Sequence, residues 1–495
     1  MGWTPRRSPR QCTVCSHADH DQVSPYGAIS MSSSFRTYLG LALIFALTLA
    51  TRIAYYAPDP HPNTGPWLYG ALAHNIVSDG HWFQVNANAG PNFAFNAPSR
   101  LAGPVVAPAE ANLRYADAHP RWEPFIAEPV GEAVPLAGLW ELTGSQTYTA
   151  DVLMKIVLDA FAALLVYRIA IMLFKRRRAA LAAGLMYALY PPIAEVVINP
   201  SRDFWGMDLT IVILALYLET INSKRPGRWL VALGVVTGIS LYFDASLIVL
   251  PGALALTSLA VANWRTVLRR ALIPTAIALL LLVPWTIRNY DDFHAFIFVR
   301  TSLGTTLWEG LAELPSSYGP KRGDYANYQL VGRALGNVHW ETPKYDSYLA
   351  HRALSVIERH PFFYLKTVAH RVWVSTLGEL DPEWMSKGTT TPFAYSAGPF
   401  AFVIAHPFQL LQLALMPLVF LLAMLSLGLT WARYKHVHLI LIALAVSIAV
   451  PYLIIHVESR YMMPMTISYL LWIGLGSDLL LERVRVWRRA RLLMA

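Results

Sequence analysis

Apolar residues run along this chain in long unbroken stretches, separated by short polar turns and by two long polar loops. A helix needs about 20 apolar residues to cross the hydrocarbon core of a bilayer. Stretches of that kind are read at 37–56, 148–174, 179–196, 204–222, 229–243, 245–262, 271–288, 400–431, 437–456 and 462–481. The first is too long for the core of a signal peptide and has no small-residue cleavage site after it. The stretch 124–143 is also apolar, but Glu128, Pro129, Glu132 and Pro135 break it, so it reads as a re-entrant or interfacial piece that would make an eleventh span. The expected fold class is an all-α polytopic membrane protein of about 10–11 transmembrane helices, with two long non-cytoplasmic loops carrying juxtamembrane amphipathic helices.

Within the first loop, Pro66 to Val77 has helical spacing, with Trp67, Leu68, Ala71, Leu72 and Ile76 on one side. A short helix lying in the interface fits that pattern better than a span. The second loop ends in helix from Asp346 to Trp373, turning at His360–Pro361, with an apolar stripe interleaved by Arg352, Arg359, Lys366 and Arg371. This predicts a helix against the outer membrane face. No internal repeat is visible, although transporters often carry one.

Composition agrees with a membrane chain: 55% of the 495 residues are hydrophobic and 14% charged, against about a quarter charged in soluble domains. The net charge of +9 does not indicate nucleic acid, because the basic clusters at Lys175–Arg178, Lys224–Arg228, Arg265–Arg270, Arg433–Lys435 and Arg483–Arg491 each sit at the end of an apolar run. Placing the N-terminus inside makes all five cytoplasmic, as the positive-inside rule requires, and makes loops 57–147 and 289–399 external. The chain then divides into a disordered cytoplasmic tail at 1–36, a transmembrane domain at 37–482 and a basic cytoplasmic tail at 483–495. Cys12, Cys15, His17 and His20 are zinc-ligand types, but too tightly spaced for a two-knuckle site. They read as part of a dispensable tail, with Met31 a natural start.

Ionisable groups at helix ends are the informative residues in such a chain, since burying them in lipid is costly. Five external places carry them: Arg52 and Asp59 around the exit of the first span, Arg202 and Asp203 in the turn after Asn199, Asp244 between the next hairpin's helices, Arg288 and Tyr290 leading into the large loop, and Glu458, Arg460 and Tyr461 between the last two spans. All lie at one membrane level. Arginines there suit a phosphate, and a carboxylate beside them suits general-base work. Anchoring of helix ends to headgroups is the plainer reading of any single one.

Several segments resemble the GT-C membrane glycosyltransferases, in the branch of protein O-mannosyltransferases and lipid A aminoarabinose transferases. They are Leu68-Tyr-Gly-Ala-Leu-Ala-His-Asn-Ile76 with Gly80-His-Trp-Phe83, then Pro284-Trp-Thr-Ile-Arg-Asn-Tyr290, Val299-Arg-Thr-Ser-Leu-Gly304, Leu307-Trp-Glu-Gly310, Ala353-Leu-Ser-Val-Ile357 with His360-Pro361, and Arg460-Tyr-Met-Met-Pro464, in the family's order across residues 37 to 480. The resemblance implies transfer of a sugar from a polyprenyl-phosphate carrier to a lipid, glycan or protein acceptor at the outer face of the membrane, in a bacterial inner membrane. It implies that Arg288 and Arg460 bind the donor phosphate, with Arg52, Arg202, Asp244, Tyr290, Glu458 and Tyr461 supporting the site.

The acid that the family places in its first external loop falls here on Gly65. Either Asp59 replaces it through a shifted loop, or Asp203 supplies it, or the activity is lost. Some relatives use a divalent metal, and no His, Asp or Glu spacing here demands one. The competing classes are a transporter or flippase, for which Asp159 and Arg168 are the evident mid-membrane ionisable pair, and a non-catalytic scaffold.

Overall fold

The computed structural model describes residues 33–56, 68–86, 121–126, 128–198, 202–320, 324–336, 338, 342–377 and 407–494. Helix α1 is Ser33–Tyr56, followed by the short α2, Leu68–Asp79. Strands β1 (Gln84–Asn86) and β2 (Trp122–Pro124) pair antiparallel, with Val85 opposite Glu123. Then come α3 (Ala133–Thr143), α4 (Thr149–Phe174), α5 (Arg177–Leu189), α6 (Pro191–Ile198), α7 (Asp203–Asn222) and α8 (Pro226–Ser240). A 3-10 turn at Ala245–Val249 leads into α9 (Leu250–Thr257) and then α10 (Trp264–Phe293). The second loop contains α11 (Leu303–Leu311), α12 (Asp324–Leu335), α13 (Pro343–Arg359) and α14 (Pro361–Leu377). Two long helices close the chain, α15 (Pro407–Ile455) and α16 (Met463–Met494).

Among the described residues six helices are long and apolar enough to cross a membrane, and α5 with α6, bent by 53° at their break, passes the same test as a pair. Pro191 and Pro192 explain that bend, because proline removes the helical donor and disfavours helix in the residue before it. Helix α15 departs from helical geometry at Tyr434, beside the basic Arg433–Lys435 cluster, which splits it into the two stretches read from the sequence. The 229–243 and 245–262 stretches form helical pieces shorter than the about 20 residues a span needs. The first is the 15-residue α8, and the second is broken into 3-10, α and 3-10 turns, with Asp244 capping its start on the Ser246 N–H.

One continuous apolar core runs through α4, α5, α7, α15 and α16. Helices α8 and α10 meet through Gly234 and Gly238, where added Cβ atoms would come within 2.7 Å of Ile277 and Leu281. Small residues four apart let two helix backbones approach closely where lipid gives no hydrophobic drive. The helix predicted within Pro66–Val77 is α2, and the predicted turn at His360–Pro361 divides α13 from α14. On α13, protein covers the stripe: Tyr345, Leu349 and Ala353 pack on Trp308 and Leu311 of α11 and Val331 of α12, so the second loop forms a subdomain with its own core.

Candidate active site

Four chain segments converge at one end of the bundle. Arg202 and Asp203 start α7, Asp244 follows α8, Tyr452 stands near the end of α15, and Arg460, Tyr461 and Pro464 lead into α16. With Gly206 they line a narrow cleft of about 10 Å³, room for about one water. Gly206 matters to its width, since a Cβ there would lie 3.3 Å from Asp244 Oδ2.

Arg460 is the centre of the cleft. Its Nη2 lies 2.6 Å from Glu458 Oε2, and Tyr461 Oη donates to Glu458 Oε1 at 3.0 Å. Its Nε, 3.6 Å from Asp203 Oδ2, is buried without a hydrogen-bond partner. Asp244 is held across the cleft by the Ser246 N–H at 2.9 Å and by Tyr452 Oη, which donates at 3.0 Å. Arg202 pairs with Glu128 at 2.7 Å, and Arg300 reaches the same Glu128 oxygen at 2.5 Å. The buried hydroxyl of Tyr69, on α2, faces this group; burial pushes its pKa well up, and Arg202 opposes the shift.

Behind Asp203 lies a buried ionic cluster that joins α3 to α4. Lys155 pairs with Asp151 at 2.9 Å and with Glu132, and its ammonium sits 5.8 Å from the Phe204 ring. Burial pushes Glu132 up to about 7 against the opposing charge of Lys155.

The 456–461 turn is tied to the subdomain of the second loop. Glu313 accepts from His456 Nδ1 at 2.6 Å and from the Val457 N–H at 3.0 Å, and pairs with Arg371 Nε at 2.6 Å. Burial works against a charged His456, but Glu313 and Glu458 outweigh it and raise its pKa to about 10. Burial pushes Glu313 up, and the hydrogen bond and charge of His456 with the charge of Arg371 bring it below its ordinary value. Glu458 is likewise held low, because the charge of Arg460 overcomes burial.

Of the residues expected from the sequence, Asp203, Arg202, Asp244, Arg460 and Tyr461 line one cleft and Glu458 braces it. Arg288 does not line the cleft. Its Nη1 and Nη2 donate to the carbonyls of Phe125 and Phe83 at 3.0 Å each, its Nε pairs with Asp292 at 2.7 Å, and its side chain stacks on Trp285. It thereby pins the strands of the first loop to α10. Tyr290 is 57% exposed and does not line the cleft either. Arg52 is buried within the bundle, donating to Asp159 at 2.8 Å and to the Ala188 carbonyl at 2.6 Å, so it staples α1 to α4 and α5. Asp59 lies outside the described residues. The Asp159 and Arg168 pair also separates: Asp159 answers Arg52 and Tyr187, while Arg168 pairs with Glu219. Among the described residues no group of three or more His, Cys, Asp or Glu is arranged to hold a metal ion.

In the sequence Glu128 stands out only as an interruption of an apolar stretch, and Glu313 does not stand out at all. A carboxylate inside or beside an apolar run was the available signal for Glu128. Nothing local distinguished Glu313, whose partners lie 58 and 143 residues away.

The model of a family described as dolichyl-phosphate-mannose-protein mannosyltransferase matches residues 128–287, which begin at Glu128 and include Arg202, Asp203 and Asp244. No curated protein matches the chain. The oligosaccharyltransferase of Archaeoglobus fulgidus, tethered with an acceptor peptide containing the NVT sequon, overlays with a TM-score of 0.52 at 11% identity, covering 92% of this chain and 51% of that one. Archaeal oligosaccharyltransferase AglB from the same organism, in complex with an inhibitory peptide and a dolichol-phosphate, gives a TM-score of 0.52 at 14% identity, with 92% and 52% covered. ArnT from Cupriavidus metallidurans overlays at a TM-score of 0.38 with 14% identity, covering 90% of this chain and 77% of that one, too loose an overlap to argue from. The chain spans about half the length of the oligosaccharyltransferase.

The molecule is a multi-pass membrane protein with the GT-C glycosyltransferase fold. Within that class, its central third carries the sequence pattern of the mannosyltransferase family.

Proposed function

We propose that this protein is a glycosyltransferase that moves a sugar from a polyprenyl-phosphate carrier to an acceptor at the outer face of the membrane. The observation that carries the reading is the cleft itself, where Arg202 and Arg460 stand against Asp203 and Asp244 at the helix ends, with the Arg460 Nε buried and lacking a hydrogen-bond partner. A phosphate oxygen satisfies that donor. An apolar groove of about 650 Å³ lies between α9 and the second half of α15, from Ala260 and Leu439 to Val249 and Pro451. Pro451 adjoins Tyr452 of the cleft, so a lipid chain in the groove brings its phosphate to the arginines.

The reaction needs orientation, charge neutralisation and deprotonation of the acceptor. The acceptor oxygen attacks the anomeric carbon as the bond from that carbon to the phosphate oxygen breaks. Arg460 and Arg202 stabilise the charge gathering on the departing polyprenyl phosphate. Asp203, beside Arg460, takes the acceptor proton, and Asp59 remains the second candidate for that role. The N- and C-termini are taken as cytoplasmic, leaving loops 57–147 and 289–399 on the working face.

Release of polyprenyl phosphate from a labelled polyprenyl-phosphate sugar, in proteoliposomes, tests the reading with wild type against Asp203→Asn, Asp59→Asn and Arg460→Ala. Release lost in Arg460→Ala and in one of the aspartate variants supports it. Movement of donor across the bilayer without release indicates a flippase, and neither indicates a scaffold.

A further inference from the structure

We propose that Glu313 is a positioning residue that couples the subdomain of the second loop to the cleft, holding the 456–461 turn so that Arg460 presents its guanidinium to a phosphate. The proposal rests on the phosphate-binding role given to Arg460 above.

Glu313 follows α11 by two residues and its side chain is 2% exposed. One carboxylate oxygen takes both His456 Nδ1 and the Val457 N–H, and the other takes Arg371 Nε. Arg371, on α14 and fully buried, donates through Nη1 to the Leu453 and Ile454 carbonyls at 3.1 and 2.8 Å. These are end-of-helix carbonyls that α15 itself cannot satisfy. One carboxylate thus ties together α11, α14, the end of α15 and the first residues of the turn.

The charges continue in alternation toward the cleft. His456 Nε2 lies 3.6 Å from Glu458 Oε1, Glu458 Oε2 lies 2.6 Å from Arg460 Nη2, and Arg460 Nε lies 3.6 Å from Asp203. From Arg371 to Asp203 each group faces one of opposite sign. Burying so many charges is costly unless each is paired, and a turn that merely reverses direction needs none of them. Helix α11 is also pressed onto this junction: a Cβ on Gly310 would lie 2.0 Å from the Ile455 carbonyl oxygen and 2.6 Å from Arg371 Nη2. A shift of α11 therefore moves the end of α15 and the turn with it, because the contact has no slack.

The test uses the full chain in proteoliposomes, with Glu313→Gln, Glu313→Asp and Arg460→Ala. Three quantities are read: the donor KM and kcat for polyprenyl-phosphate release, binding of polyprenyl phosphate itself, and hydrogen exchange over residues 453–461. The expected result for Glu313→Gln is faster exchange confined to that segment, with donor KM raised and polyprenyl-phosphate binding weakened by about tenfold, the scale of one charge-assisted hydrogen bond. Glu313→Asp recovers part of the loss. A fall in kcat with KM and binding unchanged means that Glu313 only supports folding, and overturns the proposal. So does unchanged exchange over 453–461. If wild type binds polyprenyl phosphate no better than Arg460→Ala, the phosphate reading fails and the proposal falls with it, whereas an Arg460→Ala defect without a Glu313→Gln defect overturns the coupling alone. Should Glu313→Gln fail to fold, His456→Gln at the next link carries the same three measurements.

Discussion

Arg52 and Asp159 meet at 2.8 Å between the first two long helices, both fully buried, with Tyr187 donating to the other Asp159 oxygen at 2.6 Å. Inside a bilayer such a pair is tolerated only because each charge answers the other.

Breaking it from one side strands a buried charge. Arg52→Leu and Asp159→Leu are each expected to destabilise the protein by about 3–5 kcal/mol, and the double variant by less than either. Thermal unfolding in detergent checks this. Additive losses would mean that the two residues act independently.

In the cleft, loss of a charge-stabilising donor costs about 10²–10³ in kcat. Arg460→Ala is expected to fall in that range for polyprenyl-phosphate release, and Arg202→Ala to lose less, since Glu128 occupies one of its nitrogens. Asp203→Asn is expected to fall by about 10²–10⁴, the usual worth of a general base. Initial rates with labelled donor decide all three.

The ionic chain at the 456–461 turn makes stability depend on pH in both directions. His456 is raised from 6.5 to about 10, so the stability it contributes is complete below about 6.5 and is lost as pH rises through 10. Glu313 and Glu458 are lowered from 4.5, so their contribution is present above that value and is lost as pH falls through their lowered values. Melting temperature against pH is expected to decline for wild type between 6.5 and 10 more steeply than for His456→Gln. Parallel curves would remove His456 as the cause.

The glycine contact between α8 and α10 leaves no room for a methyl group, with the Pro274 carbonyl oxygen 2.9 Å from the Gly234 Cβ position. Gly234→Ala is expected to cost about 1–3 kcal/mol through overpacking. Unfolding of purified variants measures the loss, with Gly227→Ala, where nothing lies within 4 Å, as the control.

If the groove between α9 and α15 receives the carrier lipid, filling it selects against long chains. Ala443→Trp is expected to raise KM for a long polyprenyl donor by about tenfold while leaving a short-chain donor nearly unaffected, because buried methylenes are each worth about 0.8 kcal/mol. Equal effects on both donors would place the lipid elsewhere.

Periodicity and punctuation made much of this architecture legible in the residues themselves. Long apolar runs can only be helices where backbone groups must be satisfied internally, so the spans, the kink at Arg433–Lys435 and the break at His360–Pro361 are local properties of the chain. The polar turns carrying Asp203, Asp244 and Arg460 were visible for the same reason, since charge at a helix end stands out against an apolar background. Which of those charges meet was not visible. Arg52 finds Asp159 at a separation of 107 residues and Arg371 finds Glu313 at 58, while Arg288 turns to the carbonyls of Phe83 and Phe125. A guanidinium looks the same in sequence whether it awaits a phosphate or satisfies a carbonyl, and only the packing of distant helices decides which partner lies within reach.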